Sequence, residues 1–192
     1  MMKKWLSAAV CSMLVAAPAS FVLAQAPAGS KADYEAAVKQ ADADYKAASA
    51  KCDGMKANAK DVCKAEAKRD RDVTKAEAEA RRDGTEKAHA KAMKTKADRD
   101  YDVAKEMCED KKGNDKDVCV KDAKVAHEKA LGAVKVEKAA ATGTSADVAE
   151  ARRDAKKDTM DAAYKADKER CDAMSGDAKD KCQADVKAKY GK

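Results

Sequence analysis

From Tyr34 the positions Tyr34, Val38, Ala41, Tyr45, Ala48 and Cys52 advance by alternating steps of four and three residues, with mostly Lys, Asp, Glu, Gln and Ala between them. That stepping places them along one edge of a helix. After Cys119 the same stepping gives Ala123, Ala126, Ala130 and Ala133, a seam of small residues that allows close helix approach. Breaks are few. Thr142-Gly143-Thr144-Ser145 interrupts one run, with Thr144 and Asp147 spaced as a helix cap. The pattern predicts an all-α chain of five or six helices, most near 25 residues, roughly over 31–53, 59–83, 86–108, 115–141, 146–172 and 178–190. Between Cys63 and Cys108 the candidate break is Asp83-Gly84-Thr85. One glycine costs a helix only about 1 kcal/mol, so the expectation is a helix that continues, or kinks mildly, through Gly84. Continuity favours a rod; a break favours a thin bundle of hairpins.

The cysteines fall into a repeat. Its three copies run Tyr45-KAASAK-Cys52-DGMKANAKDV-Cys63, Tyr101-DVAKEM-Cys108-EDKKGNDKDV-Cys119 and Tyr164-KADKER-Cys171-DAMSGDAKDK-Cys182. Asn58, Asn114 and Asp177 occupy equivalent places and are followed three residues on by Asp61, Asp117 and Asp180, which reads as an N-cap with an acid at N3. One helix therefore ends just after each first cysteine, and the next begins before each second one. In a single continuous helix the sulfurs of C-x10-C would stand about 16 Å apart. A disulfide needs Cα atoms within about 7 Å, and only a hairpin provides that. The expected pairs are Cys52 with Cys63, Cys108 with Cys119 and Cys171 with Cys182, although six cysteines admit other connectivities. The chain then divides into hairpin units over 31–83, 84–144 and 145–192. Tyr45, Tyr101 and Tyr164 lie two turns before a cysteine on the same face. They are read as aromatic plugs over the staples, with a ligand-contacting aromatic row as the other reading.

The amino-terminal pattern is different. Met1-Met2-Lys3-Lys4 leads into an uncharged apolar run from Trp5 to Leu23, the form of a cleavable signal peptide over 1–24 with the cut after Ala24, followed by a flexible stretch over 25–30. Val10 before Cys11 argues against a lipoprotein anchor, and Pro18 with no basic flank after the run argues against a retained membrane anchor.

Composition narrows the rest. After residue 24 the chain has one leucine, Leu131, and no Ile, Phe or Trp. Alanine buries too little area, at about 25 cal/mol per Å², to offset the ordering entropy of a large core. A conventional enzyme fold is thus not expected. The net charge of +6 is small against 40% charged residues, and the two signs interleave, so no basic stripe points to nucleic acid. Most carboxylates lie at i to i+4 spacing from lysine, as on a solvated helix surface. His89 and His127 lack a second His or Cys at ligand spacing and are expected to be solvated. There is no C-x-x-C, no phosphate loop and no G-x-S-x-G. No catalytic, metal-binding or cofactor-binding residue is expected.

Two resemblances follow from these residues. KAEAKRDRDVTKAEAEARRD and KAHAKAMKTKADRD resemble in composition the Ala/Lys/Glu-rich central helix of TolA, although cysteine hairpins are foreign to that helix. The repeat itself is similar to that of uncharacterised exported proteobacterial helical proteins, sometimes labelled TolA-like. That resemblance implies a periplasmic location and no particular activity. The function expected is that of a non-enzymatic structural or interaction protein of the cell envelope, meeting an envelope protein or cell-wall component. The alternative is a chaperone-like holdase for unfolded envelope proteins, and a metal- or redox-handling protein comes last.

Overall fold

The computed structural model describes residues 29–192, so the leader expected over 1–24, Cys11 and most of the stretch 25–30 lie outside the described residues. The described residues form six helices: α1 (Lys31–Cys52), α2 (Ala57–Asp83), α3 (Glu86–Cys108), α4 (Gly113–Thr142), α5 (Ser145–Cys171) and α6 (Gly176–Tyr190). The described residues contain no strand. Each helix packs on its neighbours in sequence and on no other. Ion pairs fix the direction: Asp42 meets Lys75, Glu79 meets Lys91, Asp122 meets Arg170 and Asp161 meets Lys192. Consecutive helices are therefore antiparallel, and the chain runs up and down in a row. A consequence is that the α1–α2, α3–α4 and α5–α6 turns all lie at the same end. There the Asn58 amide donates to the Glu106 carbonyl at 2.8 Å, tying the first turn to the end of α3.

The expected continuity through Gly84 does not occur. Gly84 takes the left-handed conformation (φ 60°) and donates its N–H to the Ala80 carbonyl, and Thr85 then caps α3 by accepting from the Ala88 N–H. The glycine's weak penalty in a helix was the wrong quantity to weigh. Folding back buries Ala76 and Ala80 of α2 against Ala88 and Ala92 of α3, which a continuous helix would leave in water.

Caps divide into two kinds. Ser30 with Asp33 and Thr144 with Asp147 form complete capping boxes, the second as the sequence predicts. Gly29 also donates to the Arg81 carbonyl, so α1 starts fixed to the end of α2. Asn58, Asn114 and Asp177, by contrast, are not caps: those helices begin two residues earlier than expected, behind Lys56, Lys112 and Ser175, with no side-chain cap bond. Each of these helices is entered through a left-handed residue, Ala57 (φ 48°), Gly113 (φ 53°) or Gly176 (φ 55°), and the Asn58 amide is turned to the Glu106 carbonyl instead.

The core consists of alanine, Val103 and cystine. Among the described residues the largest fully buried side chains are Cys52, Cys108 and Cys171, and no polar residue is buried. The α1 seam is seated as its spacing predicts, from Tyr34 to Cys52. On α4 the expected seam is only partly right: Ala123 is buried and Ala130 half-buried, but Ala126 and Ala133 are exposed. α4 packs between two helices rather than against one, and Gly132 is buried against α5, where an added Cβ would stand 2.7 Å from the Ala155 Cβ.

Candidate functional site

All three cysteine pairs are joined within their own copy, with Cα–Cα distances of 5.6, 5.7 and 5.7 Å for Cys52–Cys63, Cys108–Cys119 and Cys171–Cys182. Each turn is closed again by an ion pair at repeated positions. The acid after the first cysteine meets the lysine three before the second: Asp53 with Lys60 at 3.2 Å, Glu109 with Lys116 at 2.6 Å, Asp172 with Lys179 at 2.8 Å. Lys64 and Lys60 hold the Asp53 carboxyl below its ordinary range, and Lys179 does the same for Asp172. Disulfides in this number fit an oxidising, extracytoplasmic compartment.

The tyrosines reveal a longer repeat than the cysteines alone. Each is half-buried, and each ring meets the residue eight positions after the second cysteine. The Arg71 guanidinium lies over the Tyr45 ring at 4.4 Å, His127 stacks on Tyr101 at 4.7 Å and 16°, and Tyr190 meets Tyr164 edge-on at 5.8 Å. Three residues before each tyrosine stands an aspartate, Asp42, Asp98 or Asp161, bonded to Lys75 or His127 of the following helix or to Lys192 just past the end of α6. All three carboxyls are held below their ordinary range. Hydrogen bonds from Lys75 and Lys192 do this at Asp42 and Asp161. At Asp98 burial pushes upward, but bonds from Lys94 and His127 outweigh it. The unit is thus D-x2-Y-x6-C-x10-C-x7-X, with Arg, His or Tyr at X. That last position varies in chemistry, so identity matching missed it; its constant offset was the available signal.

His127 is not the solvated residue expected. Its side chain is 9% exposed, its Nε2 lies 2.8 Å from Asp98 Oδ1, and Lys124 Nζ stands 3.4 Å from its Nδ1. His89 is exposed as expected. What recurs across the copies is the ring contact and not the imidazole, since Arg71 and Tyr190 take the same place. In the third copy Asp167 also accepts from Lys189 and the Tyr190 hydroxyl, and burial together with that carboxylate pushes the phenol up.

Ion pairs likewise depart from a purely i to i+4 pattern. Lys94–Asp98, Lys124–Glu128 and Lys181–Asp185 follow it, while Lys75–Asp42, Arg99–Asp72 and Lys135–Asp158 bridge neighbouring helices. Among the described residues no group of three His, Cys, Asp or Glu is placed to hold a metal ion, and no helix is long and apolar enough to cross a membrane. Set beside known protein families, curated proteins and solved structures, the chain matches none.

Proposed function

We propose that this chain is a non-enzymatic structural or interaction protein of the cell envelope, exported to the periplasm and of the TolA-like helical kind that its repeat resembles. The observation that carries this reading is the investment of all six cysteines after the leader in three identical turn staples at one end of the fold. A chain whose interior is alanine needs such cross-links to hold its shape. Each ring of this size contributes about 3 kcal/mol by restricting the unfolded chain. The surface left over is charge-rich and extended, suited to broad contacts with an envelope protein or cell-wall component. Expression in a Gram-negative host with fractionation and cross-linking tests the proposal: the protein should be periplasmic, begin at Gln25 and capture envelope proteins. Retention in the cytoplasm with the leader uncut would contradict it.

The holdase reading has one observation in its favour. Met55, Met107 and Met174 are 46%, 50% and 46% exposed and sit at or beside the three stapled turns, at the same end of the fold. Exposed methionines suit adaptable binding of varied apolar segments. Suppression of aggregation of a denatured outer-membrane protein, lost on changing these three to Asp, would support that reading over a purely structural one.

A further inference from the structure

Acids and bases alternate along Arg152-Arg153-Asp154-Ala155-Lys156-Lys157-Asp158, yet the packing of α5 separates them. Asp158 Oδ2 lies 2.6 Å from Lys135 Nζ on α4. That bond holds the Lys135 ammonium in its charged form, and Asp154 is near enough to add to the effect. Asp158 is thereby engaged on the α4 side. Arg153, Lys156 and Lys157 instead line a concavity of about 300 Å³ together with Met160, Tyr190 and Lys192. The acid in that lining, Asp161, is already engaged by Lys192 at 2.7 Å and Lys157 at 3.6 Å. Arg153 and Lys156 take part in no ion pair among the described residues. α6 has 15 residues against the 27 of α5 and reaches only its second half, so this face of α5 stays open and Met160 is 39% exposed.

We propose that this concavity binds the headgroup of an anionic phospholipid. A guanidinium can grip a phosphate through two parallel N–H bonds, and the Lys156 ammonium adds a second charge. Met160 and the Tyr190 ring offer an apolar lip for the glycerol and upper acyl region, the setting in which tyrosine and lysine favour membrane interfaces. The inference goes beyond the envelope reading and stands on different residues.

Co-sedimentation with vesicles tests it. The protein should bind phosphatidylglycerol vesicles and not phosphatidylcholine vesicles. The exposed double variant R153E/K156E should weaken that binding at least about tenfold, given the strength of each basic contact with an anionic surface. K39E/K46E, which changes the net charge equally on the far helix α1, should leave it within about twofold, and M160D should also weaken it. Equal losses from the two double variants would mean attraction by overall charge and would overturn the site. Competition by millimolar inorganic phosphate as effective as by vesicles, or equally tight binding of duplex DNA lost in R153E/K156E, would assign the concavity to another anion and overturn the lipid.

Discussion

The rings of Tyr101 and His127 stack at 4.7 Å and 16°, and the same imidazole reaches Asp98 at 2.8 Å, so one contact closes α3 onto α4 a few turns from a staple. Removing it should be felt. H127A is expected to lower stability by about 1 to 2 kcal/mol through the lost stack and the lost bond to Asp98, which keeps only Lys94. H127R, which installs the residue the first copy uses, should retain most of it. Thermal unfolding of the two variants beside the parent checks this, and an H127A midpoint equal to the parent's would show that the contact contributes nothing.

Ala57 holds a left-handed backbone where the other two copies place glycine. A Cβ in that conformation costs about 1 kcal/mol or more. A57G should therefore stabilise the protein by about 0.5 to 1 kcal/mol, while G113A and G176A should each destabilise it by a similar amount, as read from denaturant midpoints. A destabilising A57G would show that the turn's strain is relieved elsewhere.

Gly132 of α4 lies against Ala155 of α5 with no room for a side chain. G132A gains about 1 kcal/mol of helix propensity but forces two methyls to 2.7 Å, and overpacking of this kind costs about 1 to 3 kcal/mol. A net loss is expected. Adding A155G should recover part of it, and a double-mutant cycle with no coupling would disprove the contact.

Acid should loosen the fold in a defined window. Asp98 and Asp167 have folded-state pKa values below their ordinary ones. Burial opposes this at both, but the bonds from Lys94 and His127 at Asp98, and from Lys189 and Tyr190 at Asp167, prevail. A depressed carboxylate contributes its stability above the unfolded-state pKa and loses it as pH falls through the folded one. The melting temperature should accordingly hold steady across pH 5 to 7 from these groups, and drop below about pH 4. D167N should flatten that drop and lower stability at pH 7. Identical acid profiles for D167N and the parent would refute the assignment.

Much of this fold could be read before any coordinates. The end of α3 at its cysteine and the seam from Tyr34 to Cys52 follow from spacing and propensity alone, and the cystine pairs follow from spacing, hairpin geometry and compartment. The break at Gly84 could not be so read, because its cause is alanine burial between α2 and α3, a pairing that local propensity does not contain. The N-caps could not be so read either: each stapled turn enters its second helix through a left-handed residue, Ala57, Gly113 or Gly176, one position before the residue that the cap spacing singles out. His127 was misjudged because its environment comes from Asp98 and Tyr101 on another helix. The basic concavity on α5 was invisible in an alternating charge pattern, since only contact with Lys135 separates its acids from its bases.

The central claim is that three local staples hold an alanine-cored row of helices. Intact mass of the protein as recovered from the periplasm of an expressing Gram-negative host, with and without reductant, followed by mapping of the cystine peptides, tests it most directly. The account predicts a gain of six hydrogens on reduction and peptides joining Cys52 to Cys63, Cys108 to Cys119 and Cys171 to Cys182. Free thiols in the unreduced protein, or a cross-copy pair such as Cys63 with Cys108, would contradict it.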